Sequence, residues 1–294
     1  MNRRIESKTS QTAKMTTISR AASYFEKNKY YKSNDYIASK LLPRFLLPFL
    51  RFGLTRRLFT KKLAPKGIYE YVITRTKYID EVFLQSIKDE FDQILIFGAG
   101  FDSRSIRLLP PESDTIVFEL DAPHTQTAKI VQLNKRKITC PENLIFISID
   151  FNKETLSEKL DQAGFNKDKK SLFILEGLIM YLDEEAVMST FKLIKKYAGK
   201  DSLIVFDTIY SSVLREEHLY YGEEEIYRTV KNEDEKWTFG LELNEIQSFL
   251  EKWGYQLLEK SDSKSLEQAY FTNESGILIG RVNGTHCLVL AKIN

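Results

Sequence analysis

The chain has 294 residues, 43% of them hydrophobic and 12% aromatic, which excludes a disordered polymer and leaves room for one large domain or two small ones. Its net charge of +2 conceals a split: residues 1–77 hold 18 Lys and Arg against 4 Asp and Glu (+14), and the remainder 25 against 37 (−12). Such a split points to nucleic acid, to an anionic membrane surface, or to a basic segment lying on an acidic partner domain, and with no RNA-binding signature or regular interleaving of stacking aromatics, nucleic acid is not expected.

In chain order, MNRRIESKTSQT carries no apolar h-region, so no secretory leader is expected. Residues 1–90 read as a mostly helical segment packing on the remainder of the chain. Within them LLPRFLLPFLRFGL, from Leu41, is the most apolar run, but Pro43, Pro48 and two arginines break it, and it falls short of the roughly 18 apolar residues of a membrane span. From Asp92 the pattern changes. ILIF (94–97), TIVFEL (115–120), LIFIS (144–148), SLFILE (171–176) and SLIVFD (202–207) are short runs rich in Ile, Val and Phe, separated by helix-compatible stretches. Examples are APHTQTAKIVQLNKRK and DEEAVMSTFKLIKKYAG, the second with Asp183 as N-cap and Gly199 as stop. Near-continuous apolar strands alternating with helices predict a parallel sheet covered on both faces. A charged, tyrosine-bearing insertion occupies about residues 211–240. LNEIQSFLEKWGYQLLEK then resumes helix, glycine and strand, and THCLVLAK supplies the last strand. Two cysteines, Cys140 and Cys287, and three histidines, His124, His218 and His286, are scattered. No metal centre or disulfide framework is expected from them, and a reducing cytoplasm fits.

Ligands of open α/β sheets bind beyond the carboxyl ends of the strands. Strand one runs into Gly98-Ala99-Gly100, where missing side chains let a ligand approach the backbone. Strand two ends in Glu119-Leu120-Asp121, an acid placed to accept from ribose hydroxyls. Strand three ends at Asp150-Phe151, an acid and a ring suited to an adenine edge and face, strand four at Glu176-Gly177, and strand five at Asp207-Thr208. Singly, each has a plain structural reading as a tight turn or a helix cap. Together they point to a nucleoside-containing cofactor. A pyrophosphate-binding turn wants a third glycine, and that slot holds Ser103, followed by Arg104. S-adenosylmethionine carries adenosine without phosphate and a positive sulfonium, so an acid such as Glu176 suits it where it would repel a pyrophosphate.

Four blocks in order, RTKYIDEVF (75–83), ILIFGAGFDSRSIRL (94–108), FELDAP (118–123) and LEGLIMYLDEEAV (175–187), resemble those of the leucine carboxyl methyltransferase family, which includes protein phosphatase methyltransferases and tetracenomycin-type bacterial O-methyltransferases. The resemblance runs from about Thr17 to Ala198 and includes counterparts for Asp102 and Arg104. It implies a Rossmann-like class I methyltransferase core over residues 91–294, an α/β fold with a mostly parallel seven-stranded sheet and S-adenosyl-L-methionine as cofactor. Carried over by position, Arg75 would hold the methionine carboxylate, with Arg20, in SRAASYF, as a second basic residue reaching it. Gly98 would let the cofactor lie against strand one, Asp121 would bind the ribose, Asp150 and Phe151 would flank the adenine, and Glu176 would sit beside the methionine end. Tyr181 would face the acceptor or pack as a core tyrosine, while Arg20 and Arg75 have a plain reading as surface cations. The insertion and the far C-terminal region match the family poorly.

Methyl transfer from a sulfonium needs orientation and a dry site more than acid–base groups. A carboxylate acceptor, with an ordinary pKa of about 4, is already ionised, whereas a phenol near 10 needs a base. With no evident His–Asp pair and a cationic N-terminal segment, the expected activity is O-methylation of a small carboxylic acid. The alternatives are a protein C-terminal carboxylate or a phenol as acceptor, a nicotinamide-dependent oxidoreductase, and a non-catalytic binding protein on the same fold.

Overall fold

A computed structural model describes residues 11–150, 153–231 and 236–294. The five apolar runs become parallel neighbours in one sheet: β1 (Gln93–Phe97), β2 (Ile116–Asp121), β3 (Leu144–Ser148), β4 (Ser171–Leu175) and β5 (Leu203–Ile209). β6 (Tyr255–Ser261) and β7 (His286–Ile293) complete the seven, in the order β3-β2-β1-β4-β5-β7-β6. The mostly parallel seven-stranded sheet predicted from the sequence is therefore present. Its last strand in chain order enters between β5 and β6, antiparallel to both.

Among the described residues five α-helices precede the sheet: α1 (Gln11–Tyr24), α2 (Tyr36–Leu41), α3 (Leu47–Arg51), α4 (Gly53–Leu58) and α5 (Ile68–Lys88). Between the parallel strands lie α6 (Arg104–Arg107), α7 (Pro123–Lys135), α8 (Leu156–Gln162) and α9 (Glu184–Tyr197). After β5 come α10 (Ser211–Leu214), α11 (Glu223–Lys231) and α12 (Ile246–Lys252), with α13 (Ser263–Tyr270) between β6 and β7. Among the described residues no helix is long and apolar enough to cross a membrane.

Strand alternation decides which helix covers which face. Ile94, Ile96, Leu172, Ile174 and Val205 share one apolar cluster with Tyr69, Tyr71, Ile73, Ile79 and Phe83 of α5. Leu95, Phe97, Phe173, Leu175, Ile204 and Phe206 share the other with Val187, Phe191 and Ile194 of α9, a helical i, i+4, i+7 stripe. The Asp183 carboxylate caps α9 by accepting from the Ala186 N–H at 2.8 Å, as its position before the apolar stripe predicts. Gly199 works differently from a left-handed cap: a Cβ there would lie 2.4 Å from the Lys169 carbonyl oxygen, so the glycine admits a close backbone crossing. The helix expected after the glycine turn is one turn only, α6. Leu109 precedes the Pro110-Pro111 pair, and the residue before a proline is disfavoured in helical conformation.

Candidate functional site

The carboxyl ends of β1, β2, β4 and β5 converge with α5 and the turn before α6. Beyond β1 the chain turns through Gly98 (φ +57°) and Gly100 (φ +51°), left-handed conformations that cost glycine little. A Cβ on Gly98 would stand 3.3 Å from Leu178 Cδ1. Asp121 closes β2 and holds this turn: its carboxylate accepts from the Gly100 N–H and, at 2.6 Å, from its neighbour Ala122 N–H. Burial raises the Asp121 carboxyl to about 6, against the lowering effect of those two N–H groups. Asp150 lies two residues past β3, its N–H donating to Glu154 Oε2 at 2.9 Å and its carboxylate 3.0 Å from Lys153 Nζ. The preceding residue, Ile149, donates to the Asp121 carbonyl at 3.1 Å, which brings the two acids to adjacent strand ends. Phe151 falls outside the described residues.

Glu176, immediately after β4, is held between two guanidinium groups. Arg75 Nε lies 2.9 Å from its Oε1, and Arg104 Nη1 donates to its Oε2 at 2.7 Å. Arg75 also donates from Nη1 to Asp207 Oδ2 at 2.7 Å. Asp207 sits in β5, fully buried, and further accepts from the Tyr71 hydroxyl at 2.7 Å and the Gly177 N–H at 2.5 Å. Arg104 in turn reaches Asp80 on α5 at 2.8 Å and Asp102 at 2.5 Å. Burial opposes the charge on both arginines, but the surrounding carboxylates outweigh it and hold each guanidinium above its ordinary pKa. Even so, the hydrogen bonding around Glu176 is incomplete: Arg75 Nε, though 2.9 Å from Oε1, is not aligned for a hydrogen bond, and Arg104 Nη2 has no partner. Unsatisfied buried N–H groups are costly and rare, and here they flank one carboxylate at the mouth of the strand ends.

Arg20 belongs to a neighbouring network. From α1 it donates to Asp35 at 2.9 Å, to the Phe101 carbonyl at 2.6 Å and, more weakly, to Ser103 at 3.4 Å. It thereby clamps the turn between Gly100 and α6 and shares no acceptor with Arg75. Tyr181 lies in a single 3₁₀ turn (Ile179–Tyr181), half-buried, its hydroxyl 3.5 Å from Thr12 Oγ1 of α1. The structure thus gathers Gly98, Asp121 and Asp150 on one side and Arg75 with Glu176 on the other, with Arg20 behind the turn.

Several participants escape a reading of strand ends. Arg104 directly follows the slot of the absent third glycine; the resemblance supplies it with a counterpart but with no role. Asp80 sits inside the RTKYIDEVF block without singling itself out. Tyr71 lies one helical turn before Arg75, whose guanidinium stands 5.4 Å from its ring centroid. His286, at the start of β7, stacks on Tyr71 with centroids 4.1 Å apart. Burial, then the Arg75 charge, push this imidazole down to about 3. Among the described residues no cluster of His, Cys, Asp and Glu is arranged to hold a metal ion.

A 3-2-1-4-5-7-6 sheet with an antiparallel seventh strand, a glycine turn after β1 and an acid closing β2 defines a class I methyltransferase fold. Residues 13–195 match the sequence model described as leucine carboxyl methyltransferase. That is more than half of the chain, and the chain belongs to this family. It is 26% identical over 201 residues to YktD of Bacillus subtilis, which carries the provisional name S-adenosyl-L-methionine-dependent methyltransferase, covering 68% of this chain and 66% of that one. A Mycobacterium avium protein of the same provisional name is 32% identical over 117 residues, 40% of this chain and 37% of its own. The chain spans from about a third to about two thirds of the length of the curated relatives it matches. In three dimensions it resembles a DUF574 family protein from Streptomyces avermitilis, with a TM-score of 0.53, 11% identity and coverage of 94% and 97% of the two chains, a likeness of fold alone.

Proposed function

We propose that this chain is a cytoplasmic S-adenosylmethionine-dependent O-methyltransferase that methylates a carboxylate of a small molecule. The observation that carries the reading is the pair of buried guanidinium groups flanking Glu176, with Arg75 Nε poorly aligned on that carboxylate and Arg104 Nη2 without a partner. They fit a ligand bearing a carboxylate and a nearby positive charge, the pair of features at the methionine end of this cofactor. In this reading Arg75 binds the cofactor carboxylate, and Glu176 lies near the sulfonium. Gly98 leaves room along β1, Asp121 accepts from the ribose hydroxyls, and Asp150 and Phe151 flank the adenine. Arg20 acts by holding the Phe101 carbonyl and with it the turn. Tyr181 faces the acceptor, and the insertion at about residues 211–240 and the N-terminal helices close over it.

The bound cofactor supplies an electrophilic methyl group on a sulfonium. The work left to the protein is alignment and exclusion of water, and orientation alone is worth on the order of 7–11 kcal/mol of barrier. A carboxylate acceptor requires no base at neutral pH. His286, buried and held neutral down to about pH 3, is poorly suited to deprotonate a phenol. Calorimetric titration with S-adenosylmethionine, S-adenosylhomocysteine and NAD tests the cofactor; binding to NAD alone would refute the reading. Labelled-methyl transfer should then succeed on small carboxylic acids. Turnover confined to phenols or to peptide C-termini would replace the acceptor, and cofactor binding without turnover on any of these would leave a binding protein.

A further inference from the structure

The run LLPRFLLPFLRFGL has no part in the site described above, and it forms an unusual surface. Phe45, Phe49, Phe52, Leu54 and Leu58 are 69%, 59%, 65%, 75% and 49% exposed, around the bend between α3 and α4. Large apolar side chains clustered this way on the surface mark an interaction site. The surrounding charge has one sign: from residue 36 to residue 69 the sequence holds eight Lys and Arg and no Asp or Glu. Arg44, Arg57 and Lys62 are exposed and pair with no carboxylate among the described residues, and exposed Arg51 stands 5.4 Å from the Phe25 ring centroid.

This exposure is built, because the segment is fastened from beneath. Leu50 is buried, and so is Arg56, which donates to the Leu50 and Arg51 carbonyls at 2.9 and 3.2 Å. Its Nε and Nη2 grip both oxygens of Glu26 at 2.9 and 3.2 Å. Thr55 Oγ1 donates to the Phe49 and Phe52 carbonyls at 2.6 and 3.0 Å and fixes the bend. The inner face therefore spends its polar groups on holding the outer phenylalanines and leucines in place.

We propose that the α3–α4 surface docks on an anionic lipid bilayer, with Phe45, Phe49, Phe52, Leu54 and Leu58 entering the headgroup–acyl boundary and Arg44, Arg51, Arg57 and Lys62 engaging acidic headgroups. Apolar insertion combined with a basic rim is the physical signature of an interfacial element. An isologous contact with a second copy would set these cations against one another. A nucleic acid would satisfy the cations but leave the two exposed leucines in water.

The test is flotation of the full chain with vesicles of phosphatidylcholine alone and of phosphatidylcholine mixed with phosphatidylglycerol. Binding is expected only to the mixed vesicles, and it should weaken as salt is raised from about 0.05 to about 0.5 M. Replacing Phe45, Phe49 and Phe52 together by Ser should lower the partition coefficient by at least about ten-fold, as should replacing Arg44, Arg51 and Arg57 by Gln. Circular dichroism and adenosine affinity should not change in either variant, since every altered residue is exposed and none lies among the residues assigned to the cofactor. Failure of the wild-type chain to float with mixed vesicles, or flotation of both triple variants equal to that of the wild type, would overturn the proposal. So would self-association on sedimentation that the serine variant abolishes, or RNA binding that is lost with the arginines and kept without the phenylalanines.

Discussion

Arg75 donates to Asp207 and stands 2.9 Å from Glu176 without an aligned hydrogen bond, and its planar fork is what distinguishes it from lysine. Arg75→Lys is expected to lose about ten-fold or more in affinity for S-adenosylmethionine and little for adenosine, which lacks the methionine tail. Parallel calorimetric titrations check this; equal losses for the two ligands would make Arg75 a support of the fold. Asp121 carries a pH signature of its own. Its carboxyl, raised to about 6 chiefly by burial, must be ionised to accept from both ribose hydroxyls. Adenosine affinity should therefore rise between pH 5 and 7, and that rise should vanish in Asp121→Ala. The same shift acts on stability with the opposite sense: the contribution of Asp121 is complete below its unfolded value near 4 and is lost as pH climbs through about 6. At this scale the sequence was legible where an acid or a glycine stands at a strand end. It was silent on Tyr71 and His286, which meet beside Asp207 of β5 from one long helix and one distant strand, and on the bond from Asp80 of the same helix to Arg104.

The elements were easier to read than their lengths. Apolar runs of four to six residues announced β1 to β5, and the Asp183 cap announced α9, because both signals are local. The one-turn α6 was not legible from its apolar content; the proline pair after it decides where it ends. Asp183→Ala should cost about 1 kcal/mol, read as a lower urea midpoint with an unchanged slope. Gly199→Ala is expected to cost more, roughly 1–3 kcal/mol, because the new methyl meets a backbone carbonyl that no side-chain rotation can move aside. If the two substitutions cost the same, Gly199 is acting as an ordinary helix stop.

Across the whole molecule, the N-terminal helices cannot be treated as an appendage. One face of the sheet finds its cover in α5, where Tyr69, Ile73, Ile79 and Phe83 meet Ile94, Ile96, Leu172 and Val205. A chain restricted to residues 91–294 should therefore bind the dye ANS and melt without a cooperative transition, since it exposes that face. A sharp thermal transition from that fragment would separate the two parts after all. Sheet membership was legible in the sequence, whereas the order of strands was not: β7 pairs with β5 across about eighty residues of chain, and no local pattern encodes such a partner.

That placement bears on how the protein is made. Translation delivers β6 before β7, yet among the described residues β6 has no neighbour in the sheet except β7. The ribosome must therefore release the segment from His286 onward before either strand can join. The same segment carries the imidazole that stacks on Tyr71, the donor to Asp207, which in turn anchors Arg75. A nascent chain stalled before Thr285 would contain every residue assigned to the cofactor and still lack the strand that pairs with β5 and the imidazole that stacks on Tyr71. Completion of the site is thus tied to the emergence of β7, and the nascent chain has no finished pocket to offer until that strand slides into the gap.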